Sequence, residues 1–156
     1  MPRRQHLLES GDVDRYHRDL VAWATENAAL LRAGKLDQID AAHLAEELED
    51  LGKSERRALG THLRNLVTHL LKWELQPERR TGSWRSSSHN ARAEIAEILE
   101  DSPSLTPAAA DRLEKGYALA RKNATSETGL APEVFPERRP YSLEQVLFDA
   151  FWLGQE

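Results

Sequence analysis

The residue pattern predicts an all-α protein, an irregular bundle of five to six helices forming one domain over 1–156. Three observations predict it. Apolar residues recur at helical spacing and no stretch alternates with the period of a strand. Helix stops follow the apolar stretches, at Gly34, Pro77, Pro103 and Gly129. The chain has 156 residues, of which 40% are hydrophobic and 30% charged, the balance of a folded globular domain rather than a disordered chain.

The elements follow in order. Residues 1–12 read as a loose tail without the apolar core of a secretion signal. The first helix is expected near 13–33. Tyr16, Leu20, Trp23, Ala24, Leu30 and Leu31 form its apolar stripe, and Gly34 is its stop. The second starts at Asp40, an N-cap with acids in the following turns. Its stripe runs through Leu44, Leu48, Leu51, Leu59, Leu63, Leu66, Leu70 and Trp73 to Pro77, which ends it. Unbroken, it would span about 55 Å, more than the roughly 40 Å diameter of a compact domain of this size. A break or kink at residues 51–54 is therefore expected, with Gly52 closing one helix and Ser54 capping the next. The alternative is a protruding helix that pairs with another chain.

A third helix takes up at about Ser83, with Trp84, Ser88, Ala91, Ile95, Ile98 and Leu99 on one face. Thr106-Pro107 opens a fourth, since Pro is suited to the first helical position. Ala109, Leu113, Tyr117, Ala120 and Ala124 are its stripe, and Thr128-Gly129 closes it. Residues 130–141 hold three of the seven prolines and read as an ordered wrap pinned by Leu130, Val134 and Phe135. Ser142 and Gln145 form a capping box. A short last helix follows, with Val146, Leu147, Phe151 and Trp152 apolar.

Composition bounds the function. Without cysteine there is no disulfide and no thiolate chemistry. No apolar run approaches the roughly 20 residues of a membrane span, and a cytoplasmic protein is expected. Net charge is −5, unevenly spread. Residues 37–50 carry six acids and no base, whereas residues 53–92 carry nine Lys or Arg against three Glu. Packing of acidic segments near the basic middle is the favoured account. A basic patch for an anionic partner is the sharper one.

The stretch from His69 to Trp84 is the densest in chemistry. His69 and Trp73 are one helical turn apart, and the Pro77 turn can return Arg80 and Trp84 toward them. Read as a ligand pocket, Arg80 would take a carboxylate or phosphate, the tryptophans would stack, and His69 would transfer a proton. Read as a helix-turn-helix corner, Trp73 and Trp84 fill the core while His69 and Arg80 bond exposed carbonyls. The corner is favoured, with the pocket kept as the candidate site.

Other chemistry is weaker. His62 and His69 lie about 10.5 Å apart along a helix, too far to share an ion. His43 with Glu46 or Glu47 has ligand spacing but needs a third donor, such as His62 or His69. Surface pairing is the expected role, and no metal or cofactor is expected. Ser83 and Ser86-Ser87-Ser88 sit where serine caps helices, without a G-x-S-x-G elbow. Lys53, Arg56, Arg57, Arg64, Lys72, Arg79, Arg80, Arg85 and Arg92 could form a phosphate-binding stripe, against the net acidity of the chain.

The chain resembles an uncharacterised bacterial helical family, the domain of unknown function 29, from about Tyr16 to Trp152. The resemblance rests on Tyr16, Asp19 and Trp23, on Leu30-Leu31-Arg32 with Gly34, and on Glu46-Glu47-Leu48-Glu49. Gly52 with Ser54-Glu55-Arg56 continues it. Its signature is His69-Leu70-Leu71-Lys72-Trp73, Gln76-Pro77, Arg80 and Ser83-Trp84. Pro103-Ser104-Leu105, Glu127-Thr128-Gly129-Leu130, Phe135-Pro136, Pro140-Tyr141, Glu144-Gln145 and Phe151-Trp152 complete it. Asn27, Ser88 and Ala91 depart from the pattern, which expects Gln, a branched apolar residue and Gln there. The resemblance implies a helical fold and no reaction. A non-enzymatic interaction protein that binds a protein partner or itself, through the long second helix, is the leading expectation. The alternatives are a small-molecule or enzymatic site at His69, Trp73, Arg80 and Trp84, and nucleic-acid binding through residues 53–92.

Overall fold

The computed structural model describes residues 15–152, all helix, turn and loop with no strand among them. The expected tail over residues 1–12 lies outside the described residues. After a helical turn at residues 15–18 come α1 (Leu20–Arg32), α2 (Ala41–Leu75), α3 (Gly82–Asp101), α4 (Thr106–Thr128) and α5 (Leu143–Leu147). Three 3-10 turns, Pro77–Arg79, Pro103–Leu105 and Pro132–Val134, each begin at a proline. The chain groups into two compact units, Met1–Gly52 and Lys53–Glu156.

In the first unit, α1 begins at Leu20 rather than near residue 13. Asp19 interrupts the helical pattern because its carboxylate accepts the Ala22 N–H at 2.9 Å, an N-cap with φ of −151°. Gly34 ends α1 at a φ of +70°. The Gly34 N–H reaches the Leu31 carbonyl and the Lys35 N–H the Leu30 carbonyl, the paired bonds of a Schellman motif. Asp40 caps α2 as expected, accepting the His43 N–H at 3.3 Å.

The expected break at residues 51–54 is absent: α2 is one helix of 35 residues. Gly52 does not take the left-handed conformation that would end a helix. Inside a helix a glycine costs only about 1 kcal/mol relative to alanine, too little to force a stop. Ser54 is accordingly a mid-helix residue and caps nothing.

In the second unit, Leu59, Leu63, Leu66, Val67, Leu70 and Leu71 of α2 are fully buried. They meet Ala91 and Ile95 of α3 and the predicted stripe of α4, all five of whose residues are buried. The two helices face each other at Gly60 and Gly116, with room for ordinary contact. A Cβ on Gly60 would stand 3.7 Å from Arg112 Cδ, and one on Gly116 would stand 3.9 Å from Arg64 Cβ. Further along, Thr68 Oγ1 donates to the Ala120 carbonyl at 3.4 Å and Lys72 Nζ pairs with Glu127 at 2.7 Å. The register advances in the same sense on both helices, so they run parallel here. The twenty residues of α3, about 30 Å of helix, carry the chain back between them.

The start of α3 differs slightly from expectation. Thr81 is its N-cap, accepting the Trp84 N–H at 3.3 Å, so Ser83, Ser86, Ser87 and Ser88 lie inside the helix. The 130–141 wrap is pinned differently too. Val134 is exposed, whereas Phe135 and Tyr141 are buried. Tyr117 Oη donates to the Pro136 carbonyl at 2.7 Å and Arg121 Nη2 to that of Pro132 at 2.7 Å, which fixes the wrap to α4. The capping box is present, with Ser142 N–H on Gln145 Oε1 at 2.8 Å and the Gln145 N–H on Ser142 Oγ at 3.2 Å.

Candidate functional site

Proline at 77 stops α2, and the 3-10 turn after it swings Arg80 back over the helix end. There Arg80 Nε donates to the Trp73 carbonyl at 2.8 Å, and its guanidinium lies 5.0 Å from the Trp73 ring. A carbonyl in the last turn of a helix lacks an intrahelical donor, and Arg80 supplies one. Trp84 lies against Lys72, whose Nζ sits 4.7 Å from the Trp84 ring while bonding Glu127. Burial first, and then the Lys72 charge, hold the His69 imidazole below its ordinary range, against the pull of Glu127. His69 Nδ1 and Trp73 Nε1 are both buried without a hydrogen-bond partner. Of the four candidates, Arg80 and Trp73 are thus in direct contact, while Trp84 lies against Lys72.

A larger assembly extends from Trp73. Its ring is 4.5 Å from that of Trp152. The Arg85 guanidinium lies over both, 5.3 Å from Trp73 and 5.7 Å from Trp152, and Arg92 lies 5.2 Å from Trp152. Three guanidiniums therefore alternate with two indoles, each contact worth about 0.5–2 kcal/mol depending on exposure. Beside this ladder opens a cleft of about 430 Å³ lined by Arg85, Ser86, His89 and Asn90 of α3 and by Asp149 and Trp152. Arg92 also borders it but is spent: its donors go to the carbonyls of Val146, Asp149 and Phe151. Trp152 and Arg85 were visible in the sequence only as an apolar residue and a basic one. Their meeting depends on Arg92 holding the chain after α5 in place.

The basic residues of 53–92 do not share one fate. Lys72 is ion-paired, Arg80 bonds a carbonyl and Arg92 is buried, whereas Arg56, Arg57 and Arg79 are exposed.

The first unit holds a second polar cluster. Asp40 Oδ2 accepts from Trp23 Nε1 at 3.0 Å and lies 2.7 Å from His43 Nδ1. The Asp40 N–H donates to Asn27 Oδ1 at 2.8 Å, and Asn27 Nδ2 to the Trp23 carbonyl at 3.0 Å. The Tyr16 ring stacks on His43 at 4.0 Å, and its hydroxyl donates to Glu47 at 2.6 Å. That bond pushes the Tyr16 phenol up to about 12, with burial and the Glu46, Glu47 and Asp50 charges adding to it. Burial works to raise the Asp40 carboxyl, but hydrogen bonds from Trp23 and His43 outweigh it and hold the group below its usual range. His43 is thus occupied by Asp40 and Tyr16, and Glu47 by Tyr16. His62, the third donor considered for His43, is nineteen residues further along the same helix, about 28 Å of rise. Among the described residues no group of three or more His, Asp or Glu is placed to hold a metal ion. Asn27, which departs from the resemblance, bonds both Trp23 and Asp40 in this cluster, and a hydrogen-bonding role was not legible from its spacing.

No helix among the described residues is long and apolar enough to cross a membrane. No curated protein and no solved structure matches the chain. The model of the family described as domain of unknown function DUF29 matches residues 15–152, from just before the stacked Tyr16 to the ladder's Trp152, and the chain belongs to that family.

Proposed function

We propose that the protein is a non-enzymatic helical interaction protein whose docking partner is a second copy of itself, along α2. The observation that carries this reading is the exposure of Leu48 and Leu51, at 69% and 63%, on a helix whose later leucines are fully buried. Leu48 and Leu51 continue the face of half-buried Leu44, and adjacent exposed large apolar residues are a feature of docking surfaces. In the unit Met1–Gly52, Trp23 and Asn27 are the buried described residues, while Leu20, Val21 and Leu36 are also exposed.

Charge selects the occupant. Glu46, Glu47 and Asp50 precede the Leu51–Gly52 bond by the same steps at which Arg57, Arg56 and Lys53 follow it. Two copies of the helix laid antiparallel about that bond bring the acidic stretch of each alongside the basic residues of the other, at the flanks and back of the leucine stripe, a complementarity that steers association from a distance. Sedimentation equilibrium tests the reading, with a dimer of twice 17.7 kDa expected. Replacing both Leu48 and Leu51 by Asp is expected to give a helical monomer. A wild-type chain that stays monomeric at its highest attainable concentration overturns the reading.

A further inference from the structure

The cleft beside the arginine–tryptophan ladder has the chemistry of a binding site, independent of docking along α2. Arg85 is exposed and held over two indole rings, yet it makes no hydrogen bond and no ion pair among the described residues. A guanidinium carries five N–H donors in a planar fork suited to a carboxylate or phosphate. Cation–π contact orients the group without using those donors. Arg85 is therefore pre-positioned, with its hydrogen-bonding capacity directed to something other than the protein.

The neighbours extend the same chemistry. His89 follows Arg85 by one helical turn, as Asn90 follows Ser86, so four polar side chains face the cleft from α3. Asp149 is the carboxylate of the lining, and it lies nearer His89, with Nδ1 and Oδ1 3.8 Å apart, too long for a hydrogen bond. Arg92 adds positive charge from behind while its donors stay on backbone carbonyls. A volume of about 430 Å³ exceeds what a bare oxyanion needs and falls in the range of small-molecule sites.

We propose that this cleft binds a small organic anion, with its phosphate or carboxylate on Arg85 and its remainder along Trp152. Calorimetric titration of the full chain with phenyl phosphate, benzoate and neutral benzyl alcohol tests it. Saturable binding of at least one anion and none of the alcohol is expected, and the stronger anion identifies the headgroup. Arg85→Gln is expected to weaken that binding about tenfold or more, the loss of a charge-assisted bidentate contact. Because the exposed Arg85 side chain makes no hydrogen bond or ion pair among the described residues, the variant loses only its contacts with the two rings and is expected to retain its helicity, checked by circular dichroism. Arg79→Gln, the same charge change at an exposed position on the 3-10 turn, is expected to leave the affinity unchanged. No saturable binding of either anion, unchanged affinity in Arg85→Gln, or equal loss in both variants overturns the proposal.

Discussion

The Arg92 guanidinium, on α3, donates to the carbonyl of Phe151 at 2.6 Å, fifty-nine residues further along the chain. The same group bonds the carbonyls of Val146 at 2.9 Å and Asp149 at 3.1 Å. Burial lowers the Arg92 pKa while the Asp149 charge opposes that shift, and three carbonyls satisfy a group that has no carboxylate bonded to it. Arg92→Ala is expected to destabilise the second unit by about 3 kcal/mol, because the carbonyls lose their donor. Arg92→Lys should recover only part, since an ammonium lacks the planar fork. Urea unfolding followed by tryptophan emission measures both, and an effect below about 1 kcal/mol for the Ala variant contradicts the clamp.

Ser88 is fully buried and its hydroxyl has no partner among the described residues. Ser88→Ala removes an unsatisfied polar atom and improves helix propensity. It is expected to stabilise by about 1 kcal/mol in the same urea assay. A loss of stability would show that the hydroxyl is bonded in solution.

The glycines separate by conformation. Gly60 is helical and an added Cβ would make ordinary contact with Arg112, so Gly60→Ala should stabilise by about 0.5–1 kcal/mol. Gly129 sits at a φ of +71° at the end of α4, and Gly129→Ala should destabilise by about 1 kcal/mol. Opposite signs in thermal melts are the expected outcome.

The pH dependence carries two opposed contributions. His69 is depressed chiefly by burial, so its contribution to stability is present above its unfolded value of about 6.5 and is lost as pH falls below it. Burial raises the Glu74 carboxyl, so its buried anion costs stability as pH rises above about 4.5. His69→Gln should flatten the decline below pH about 6.5. Glu74→Gln should stabilise more at neutral pH than at pH about 4. Urea midpoints across that range check both, and parallel pH profiles for wild type and variants contradict them.

Much of the fold was legible because helices announce themselves locally. Asp40, Thr106-Pro107, Gly34, Gly129 and the Ser142 box are decided by backbone donors, φ and proline geometry within a few residues. The α4 stripe was legible for the same reason, since one face of one helix is a local property. The helix start at Leu20 was missed because the Asp19 cap competes within an otherwise continuous apolar period. The continuity of α2 was missed because overall domain size was weighed against a glycine that costs the helix little.

The candidate site was less legible. The sequence brought Arg80 toward Trp73 through the Pro77 turn, a contact seven residues apart. It could not bring Arg85 and Trp152 together, because that meeting depends on the long-range clamp by Arg92.

By itself the sequence determined the helical class, the caps and the periodic leucines of α2. Only the tertiary structure decided that Leu59, Leu63 and Leu66 are buried within the chain while Leu48 and Leu51 are left on its surface. Periodicity marks which face of a helix is apolar, but burial requires a second surface to arrive, and that surface comes from residues distant in the chain.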